Sequence, residues 1–218
     1  MKFFSFWRSL ASFRVRIALN IKAIEAEVVQ VNILKGEQCT DAFRRVNPQM
    51  LIPALDDGKG PILFQSLAIL EYLEETHPKP ALLPKDARAR AWVRGMAGIV
   101  ACDAHPLIVP RIRNFLEQEF KLDEPARLQW IRHWFTEGYK ALETHLANDG
   151  VTGRFCCGDA ITLADICLVS HSVGGEFFDR GPAPYPNVAR ITEACLKEET
   201  FAKAHPLKQP GAPAKIGH

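Results

Sequence analysis

Two serines lie where a short apolar segment gives way to a helical pattern, and their position could serve anion chemistry. Ser9 and Ser12 follow the apolar residues 2–7 and precede residues 13–21, whose apolar side chains recur at helical spacing. The first turn of a helix presents unpaired N–H groups and the positive end of the helix dipole, so a serine hydroxyl there can donate to an anion. Serine is also a common helix cap. The local sequence therefore leaves two interpretations open, an anion site and a plain cap.

Two further pairs of residues carry related chemistry. Ile52 precedes Pro53 between a loop and a predicted strand. A cis bond there leaves the main-chain amide and carbonyl of Ile52 available to an extended peptide ligand, and about 5–6% of X–Pro bonds are cis. Gln65 and Ser66 precede the amphipathic residues 67–75, with Ser66 as the expected cap. This helix start is either a site for a carboxylate-sized anion or, again, only a cap.

A small α/β domain would position these residues. Residues 2–7 and 27–33 are predicted to be strands, because both are short and rich in apolar side chains. A helix between them implies that the two strands are parallel, with a right-handed crossover. Short apolar runs on either side of Asp57 and Gly58 predict a hairpin, and a helix follows from Ser66. The predicted order is βαβ and then ββα.

The chain after Lys85 is predicted to be helical, with no convincing strand. Apolar side chains recur at helical spacing in residues 89–103 and again in residues 128–146. Pro106 is expected to end or kink the first of these helices near His105, because proline disfavours a helical conformation in the residue before it.

The remaining sequence suggests how the chain is divided. Thr162 and Asp165 form a capping box that opens a further helix. We therefore expect two domains, a small α/β domain over residues 1–80 and an all-helical domain over residues 85–218. The tail from 205 to 218 is rich in Pro, Gly and Lys and is expected to be an arm on the surface.

The composition excludes several classes of protein. The 218 residues are 47% hydrophobic and 24% charged, and 27 basic residues against 25 acidic ones give a net charge of +2. That balance is too even for a protein that binds nucleic acid by neutralising many phosphates. No segment approaches the roughly 18 apolar residues of a membrane span. Arg8 interrupts the apolar N-terminal run before it could act as a secretion signal, so we expect a cytoplasmic protein.

The six cysteines do not indicate a metal site. They show no C-x-x-C motif and no Cys/His spacing of the kind that zinc requires. We expect all six to be reduced thiols, mostly buried, and we expect no metal.

Taken in order, these motifs resemble the glutathione transferase superfamily. The order is a serine after the first strand, Ile-Pro before the third, Gln-Ser before a helix, and a helical second half. Residues 9–19 (SLASFRVRIAL) and 65–75 (QSLAILEYLEE) resemble its zeta class, which includes maleylacetoacetate isomerase and bacterial maleylpyruvate isomerases. Gly158 and Asp159, with the capping box that follows, resemble it as well. The resemblance covers nearly the whole chain and implies a thioredoxin-like α/β domain followed by an all-α domain, the glutathione transferase fold.

The resemblance also implies glutathione as the cofactor. Ser9 matches the serine that faces the sulfur. The residues that would bind the rest of glutathione are Gln38, Ile52, Pro53, Gln65, Ser66 and His105. Among these, the Gln-Ser pair would hold the γ-glutamyl end, and the residue before the cis proline would pair with the cysteinyl backbone. The local sequence at His105 also fits a plain helix-end histidine ahead of a proline.

The implied activity is glutathione-dependent cis–trans isomerisation of a maleyl-type diacid. A free thiol has a pKa of about 8.5, so a hydroxyl donor at a helix N-terminus is needed to favour the thiolate. The thiolate adds to the double bond and leaves after rotation, which regenerates glutathione. Ser9 and Ser12 are the candidate catalytic serines, and the sequence does not decide which contacts the sulfur. Arg8 and Arg111 are candidates for stabilising negative charge on the substrate.

The sequence departs from the zeta-class pattern at three positions. The second serine of the motif is Leu10 and its cysteine is Ala11, while Phe177 aligns with an arginine that pairs with the substrate carboxylate. Phenylalanine cannot replace an arginine–carboxylate pair. Arg180 lies close by but would face elsewhere on a helix. Arg111 and Arg113 fit either the cleft side of a helix that continues past Pro110 or a solvated basic face.

Three functions therefore stay open. They are the isomerase, a transferase that conjugates or dehalogenates small electrophiles, which the apolar replacements would suit, and a non-catalytic glutathione-binding protein. The resemblance also implies a homodimer. Trp92, Met96 and Val100 form an apolar stripe that fits either a subunit interface or an intramolecular core.

Overall fold

Four short strands form the sheet of the first unit of the chain. The computed structural model describes residues 1–215 and gives the strands β1 (Lys2–Ser5), β2 (Glu27–Gln30), β3 (Ala54–Asp56) and β4 (Leu63–Phe64). Their order across the sheet is β2-β1-β3-β4. β1 runs parallel to β2 and antiparallel to β3, which pairs antiparallel with β4. The predicted parallel pair and the predicted hairpin are both confirmed.

Two helices of the first unit, α1 (Leu10–Ile21) and α3 (Ser66–Thr76), pack against each other. Apolar side chains from the sheet and from both helices are fully buried, among them Phe3, Val15 and Leu70. This burial supplies the main favourable energy of the unit. A short helix, α2 (Asp41–Arg44), is capped by Thr40 and was not predicted, because one helical turn shows no periodicity.

The last part of the described chain returns to the first unit. That unit comprises Met1–Ala81 together with the residues from Glu198 onward. Helix α9 (Glu199–Ala204) packs on α1, and a 3₁₀ turn follows at Pro206–Lys208. The prediction that 85–218 forms one helical domain is therefore wrong for 198–215.

The expectation of a surface arm over 205–218 holds for most of residues 208–215, which are exposed, but not for the segment around Pro206. Pro206 is buried, although the Pro- and Gly-rich composition favours exposure. The tertiary contact that orders this segment is invisible in local sequence. Residues 216–218, which belong to the same expectation, lie outside the described residues.

The second unit, Leu82–Lys197, is helical, and its described residues form no strand. Its helices are α4 (Ala87–Gly98), α5 (Pro110–Gln118), α6 (Glu124–Asn148), α7 (Leu163–Glu176) and α8 (Pro186–Leu196). Helix α7 is buried along almost its whole length. Its predicted capping box is confirmed, because the Asp165 carboxylate accepts from the backbone N–H of Thr162 over 2.8 Å. None of the helices described is long and apolar enough to cross a membrane.

The α-helical part of α4 ends at Gly98, before the proline that was expected to end or kink the helix. A π-helical segment, Ile99–Ala104, continues it, and a 3₁₀ turn, His105–Leu107, contains Pro106. No pattern in residues 99–104 indicates the π-helical segment. Met96 and Val100 are buried in the core of this unit, and Trp92 donates from Nε1 to Asp149 over 2.7 Å. Within the unit, the predicted stripe is thus largely intramolecular core.

Candidate active site

Ser9 is the N-cap of α1. Its side-chain oxygen accepts a hydrogen bond from the backbone N–H of Ser12 over 3.1 Å, and its carbonyl accepts from Phe13. A hydroxyl has one proton to donate besides two acceptor positions, so capping leaves that proton for a ligand. The cap and the anion site, which the sequence left as alternatives, are therefore compatible in one residue.

Ser12 occupies a different environment from Ser9. Its side chain has no exposed surface, and its hydroxyl oxygen has no hydrogen-bond partner among the residues that the structure describes. Ser9 is 8% exposed. Ser9 thus keeps some exposed surface, whereas Ser12 has none and is linked to Ser9 through its main-chain N–H.

Arg8 lies directly before the N-cap of α1. Its guanidinium carbon is 5.7 Å from the centroid of the Trp7 ring, at cation–π distance. Partial burial lowers the pKa of Arg8 from its usual value. Arginine nevertheless stays charged at neutral pH, so Arg8 is a partly desolvated cation beside Ser9.

The N-terminus of α3 has an unusual backbone. Gln65 is the N-cap, and its φ of 67° lies in the left-handed region that non-glycine residues rarely adopt. Such conformations persist where the surrounding structure holds them and cluster at ligand sites. Ser66 is the first residue of the helix and is buried, so the prediction that Ser66 is the cap is wrong by one residue.

A tight loop, residues 47–53, leads into β3. The Ile52–Pro53 bond is cis, one of the two forms open to an X–Pro bond. No hydrogen bond joins the backbone of Ile52 to another part of the described chain, so its N–H and C=O remain for a ligand strand. Gln49, in the same loop, accepts a hydrogen bond at Oε1 from Gln65 Nε2 over 2.8 Å. No local motif in the sequence singles out Gln49.

Gln38 lies in a 3₁₀ turn, Glu37–Cys39, of the same unit. Its side-chain Oε1 is buried and has no hydrogen-bond partner among the described residues. A buried acceptor without a partner is costly, and a ligand donor would satisfy it.

These groups together fit glutathione. That tripeptide carries a thiol, an extended peptide backbone, two carboxylates and one ammonium group. The first unit offers a hydroxyl at a helix N-terminus, an unpaired stretch of backbone, a second helix N-terminus and an orphaned amide oxygen, located at Ser9, Ile52, Ser66 and Gln38. Donors and acceptors of these kinds suit the thiol, the peptide backbone and a carboxylate of such a ligand.

The other predicted residues lie in the second unit. His105 is half-buried and begins the 3₁₀ turn after the π-helical segment. Arg111 is exposed in the first turn of α5, a new helix that begins at Pro110 rather than a continuation of α4. Phe177 is buried at the C-terminal end of α7. Arg113 has its guanidinium carbon 5.7 Å from the Phe178 ring centroid, so its side chain does not belong to a fully solvated face.

Three of the six cysteines, Cys156, Cys167 and Cys195, are buried, and Cys39 and Cys102 are exposed. None of the six cysteines is in a disulfide. Burial raises the pKa of the Cys156 thiol well above its usual value, which makes it unreactive. Among residues 1–215, no group of three or more His, Cys, Asp or Glu side chains could hold a metal ion.

Comparison with known proteins agrees with this geometry. Residues 1–75 match the family described as glutathione S-transferase, N-terminal domain. A maleylpyruvate isomerase from Ralstonia sp. is 44% identical over 210 residues, 96% of this chain and 99% of that protein. The crystal structure of a maleylacetoacetate isomerase from Methylobacterium extorquens AM1, with bound malonate and glutathione, has a TM-score of 0.96 and 51% identity. The alignment covers 98% of this chain and 100% of that one.

A holo structure of a maleylpyruvate isomerase, a bacterial glutathione S-transferase of the zeta class, is also similar. It has a TM-score of 0.94 and 44% identity, covering 98% of this chain and 100% of that one. The mixed four-stranded sheet, the capped α1 and the helical second unit are thus those of a glutathione transferase fold. The chain belongs to the zeta class of glutathione transferases, the family of the maleylacetoacetate and maleylpyruvate isomerases.

Proposed function

We propose that this protein is a glutathione-dependent cis–trans isomerase of maleyl-type diacids such as maleylacetoacetate or maleylpyruvate. The observation that carries the proposal is the Ser9 hydroxyl, which caps α1 and retains a proton for a thiolate. The names of its relatives support the same reaction, and the malonate in one relative is a small dicarboxylate bound together with glutathione.

Bound glutathione supplies the nucleophile, because its thiolate adds to the cis double bond and leaves after rotation about the resulting single bond. Ser9 donates its hydroxyl proton in a hydrogen bond to the sulfur. The N-terminus of α1 adds the positive end of its dipole. Each unit by which these groups lower the pKa of the thiol corresponds to about 1.36 kcal/mol of preference for the thiolate. Ser12 contributes through its main-chain N–H, which holds the Ser9 oxygen in place.

The remaining glutathione contacts are assigned in the same proposal. Ile52, ahead of Pro53, pairs with the cysteinyl backbone, and Gln65 and Ser66 hold the γ-glutamyl end. Gln38 takes the glycyl end, where its orphaned Oε1 can accept from an N–H. His105 provides a further polar contact to glutathione.

Two arginines are proposed to act on the substrate. Arg8 stabilises negative charge that develops on the carbonyl oxygen next to the double bond, since partial burial strengthens its electrostatic effect. Arg111 pairs with a carboxylate of the diacid. The buried Phe177 cannot make such a pair, so recognition of the carboxylates depends more heavily on these two cations.

The setting of the reaction is also proposed. We place the protein in the cytoplasm, where the reduced state of its cysteines would be maintained, and we expect a homodimer. The substrate class assigns it to the breakdown of aromatic compounds, in which ring cleavage produces maleyl-type diacids.

A turnover assay tests the proposal. Maleylpyruvate or maleylacetoacetate is mixed with the protein with and without glutathione, and substrate absorbance and thiol concentration are followed together. Isomerisation that requires glutathione and leaves the thiol concentration constant would support the isomerase. Loss of thiol in proportion to product would instead establish a conjugating transferase. Absence of turnover, with glutathione still protecting the protein against thermal unfolding, would indicate a binding protein.

A further inference from the structure

The loop before the cis proline is held by one buried side chain. Asn47, which is 2% exposed, donates from Nδ2 to the Leu51 carbonyl over 2.7 Å and accepts at Oδ1 from the Gln49 N–H over 3.1 Å. Its carbonyl accepts from the Met50 N–H over 2.8 Å. Three hydrogen bonds to one residue fix the backbone on both sides of Met50, whose φ of 55° is left-handed. The loop is therefore a rigid support for its side chains.

One of those side chains reaches the N-terminus of α3. Gln49 Oε1 accepts from Gln65 Nε2 over 2.8 Å, across 16 positions of sequence. In this arrangement the Gln49 oxygen binds the amide nitrogen of Gln65 and turns the Gln65 oxygen to the opposite side. Without that partner, the two ends of the Gln65 amide could exchange places by rotation about its last bond.

The orientation of the Gln65 amide matters for a ligand that carries an ammonium group. The Gln65 oxygen attracts an ammonium, whereas its NH₂ group repels one. A carboxylate has a separate place at the same helix start, because the first N–H groups of α3 and the Ser66 hydroxyl favour an anion. An amino acid end that carries both groups, such as the γ-glutamyl end of glutathione, therefore needs the Gln65 oxygen on a defined side.

We propose that Gln49 is a positioning residue that orients the Gln65 amide, and thereby makes the site selective for ligands with a free α-ammonium group. The proposal rests on the glutathione-binding part of the proposed function and not on the isomerisation. Gln49 does not touch the reacting atoms. Its replacement should therefore change the affinity for glutathione and leave the pKa of the bound thiol unchanged.

The test compares two ligands on variants of the full-length protein by titration calorimetry. The ligands are glutathione and its analogue without the α-amino group, glutarylcysteinylglycine. In Gln49→Met the side chain keeps its length and loses its acceptor, and in Gln49→Glu it keeps an acceptor that cannot donate. Gln30→Met is the matched control, since Gln30 is an exposed glutamine at the end of β2.

We expect Gln49→Met to weaken glutathione binding about threefold, the effect of one exposed hydrogen bond. Its affinity for the deamino analogue should stay that of the wild type. Gln49→Glu should bind glutathione as tightly as the wild type or more tightly, and Gln30→Met should change neither affinity. The pKa of bound glutathione's thiol, read from thiolate absorbance, should be the same in all four proteins.

Three results would overturn the proposal. They are equal weakening of both ligands by Gln49→Met, no weakening of either, and a Gln49→Glu variant that binds glutathione as weakly as Gln49→Met. A wild-type protein that binds glutathione but does not isomerise maleyl diacids would remove the proposed function, and the affinity comparison would still decide the role of Gln49.

Discussion

The backbone N–H of Ser12 donates a hydrogen bond to the side-chain oxygen of Ser9 over 3.1 Å. The bond fixes the Ser9 oxygen at the start of α1. The hydroxyl proton is not used by this bond and can still be donated. One capping interaction thus stabilises the helix and leaves the Ser9 hydroxyl proton available as a donor.

Replacing Ser9 with alanine should remove that donor. We expect the pKa of bound glutathione's thiol to rise by about one unit, because hydrogen bonds to charged groups contribute about 1.5–3 kcal/mol. Loss of the cap should also lower the free energy of unfolding by about 1 kcal/mol. Thiolate absorbance measured against pH gives the first quantity and urea denaturation the second. Ser9→Thr, which retains a hydroxyl, is the control, and an unchanged thiol pKa in Ser9→Ala would refute the assignment.

Replacing Ser12 with alanine distinguishes the two serines. The variant keeps the main-chain N–H that binds Ser9 and removes a buried hydroxyl that has no hydrogen-bond partner among the described residues. Removing such a group costs little, so the free energy of unfolding should be unchanged or higher. The thiol pKa should move far less than in Ser9→Ala. A shift as large as that of Ser9→Ala would transfer the catalytic role to Ser12.

Replacing Arg111 with alanine should weaken binding of the diacid. We expect KM for maleylpyruvate to rise about tenfold, the effect of losing one charge-assisted hydrogen bond, while kcat changes less. Glutathione affinity should be unaffected. Steady-state kinetics at saturating glutathione provide the measurement, and Arg180→Ala removes a similarly exposed arginine from the second unit as the control. Equal KM values in the two variants would argue against a role for Arg111.

Lys22 forms a buried ion pair in the first unit. Its Nζ has no exposed surface and donates to Glu74 Oε2 over 2.5 Å and to the carbonyls of His77 and Pro80 over 2.6 Å each. Lys22→Met removes the buried ammonium that Glu74 and the two carbonyls share. We expect a loss of about 3 kcal/mol in the free energy of unfolding, measured by urea denaturation.

A matched exposed pair provides the comparison for Lys22. In α8 the Lys197 Nζ lies 2.7 Å from Glu193 Oε1, and both side chains are largely exposed. Lys197→Met should cost less than about 0.5 kcal/mol. Similar losses in the two variants would show that burial does not govern the strength of the Lys22 pair.

His205 should make stability depend on pH. Burial, followed by the charges of Lys208 and Arg16, lowers the pKa of His205 below its usual 6.5, and its Nδ1 accepts from the Leu207 N–H. As the pH falls below 6.5, the unfolded chain takes up a proton before the folded chain does. The free energy of unfolding should therefore decrease as the pH falls through that window.

The variant His205→Asn keeps a side-chain acceptor but does not titrate. Its free energy of unfolding should fall less steeply than that of the wild type when urea denaturation is repeated from about pH 7.5 down to 5.5. Equal slopes in the two proteins would mean that His205 titrates alike in the folded and unfolded states.

Features of this chain that depend on local chemistry could be predicted from sequence. The Ser9 cap and the Thr162–Asp165 capping box each link residues three positions apart, so the pattern itself carries the interaction. The parallel pair of strands follows from a helix of suitable length between two apolar segments. The left-handed backbone of Gln65 could not be predicted, because glutamine has no preference for that conformation.

Features that depend on contacts between distant residues were missed. The Asn-Pro sequence at residues 47–48 is a recognisable turn former, and Asn47 could have been expected to bind its own backbone. Nothing in the sequence indicates that Gln49 would meet Gln65. The hydrogen bond between Arg16 and Ala204 spans an even greater separation in sequence, since it links positions 188 residues apart.

Arg16 illustrates how a buried charge can depend on a remote segment. Its guanidinium donates to the Ala204 carbonyl over 3.0 Å, to Ser5 Oγ over 3.2 Å and to the carbonyls of Phe6 and Trp7. Burial lowers its pKa to about 9. Without Ala204, one side of this buried cation would lose its acceptor.

The two segments of the first unit are separated in sequence by the whole of the second unit. During translation, the ribosome must therefore synthesise residues 82–197 before Ala204 can reach Arg16. The first unit cannot complete its folding in order of synthesis, even though domains near the N-terminus generally fold first. An expressed fragment of residues 1–81 would lack the same partner, so a chimera that transplants this glutathione site must carry residues 198–215 with it.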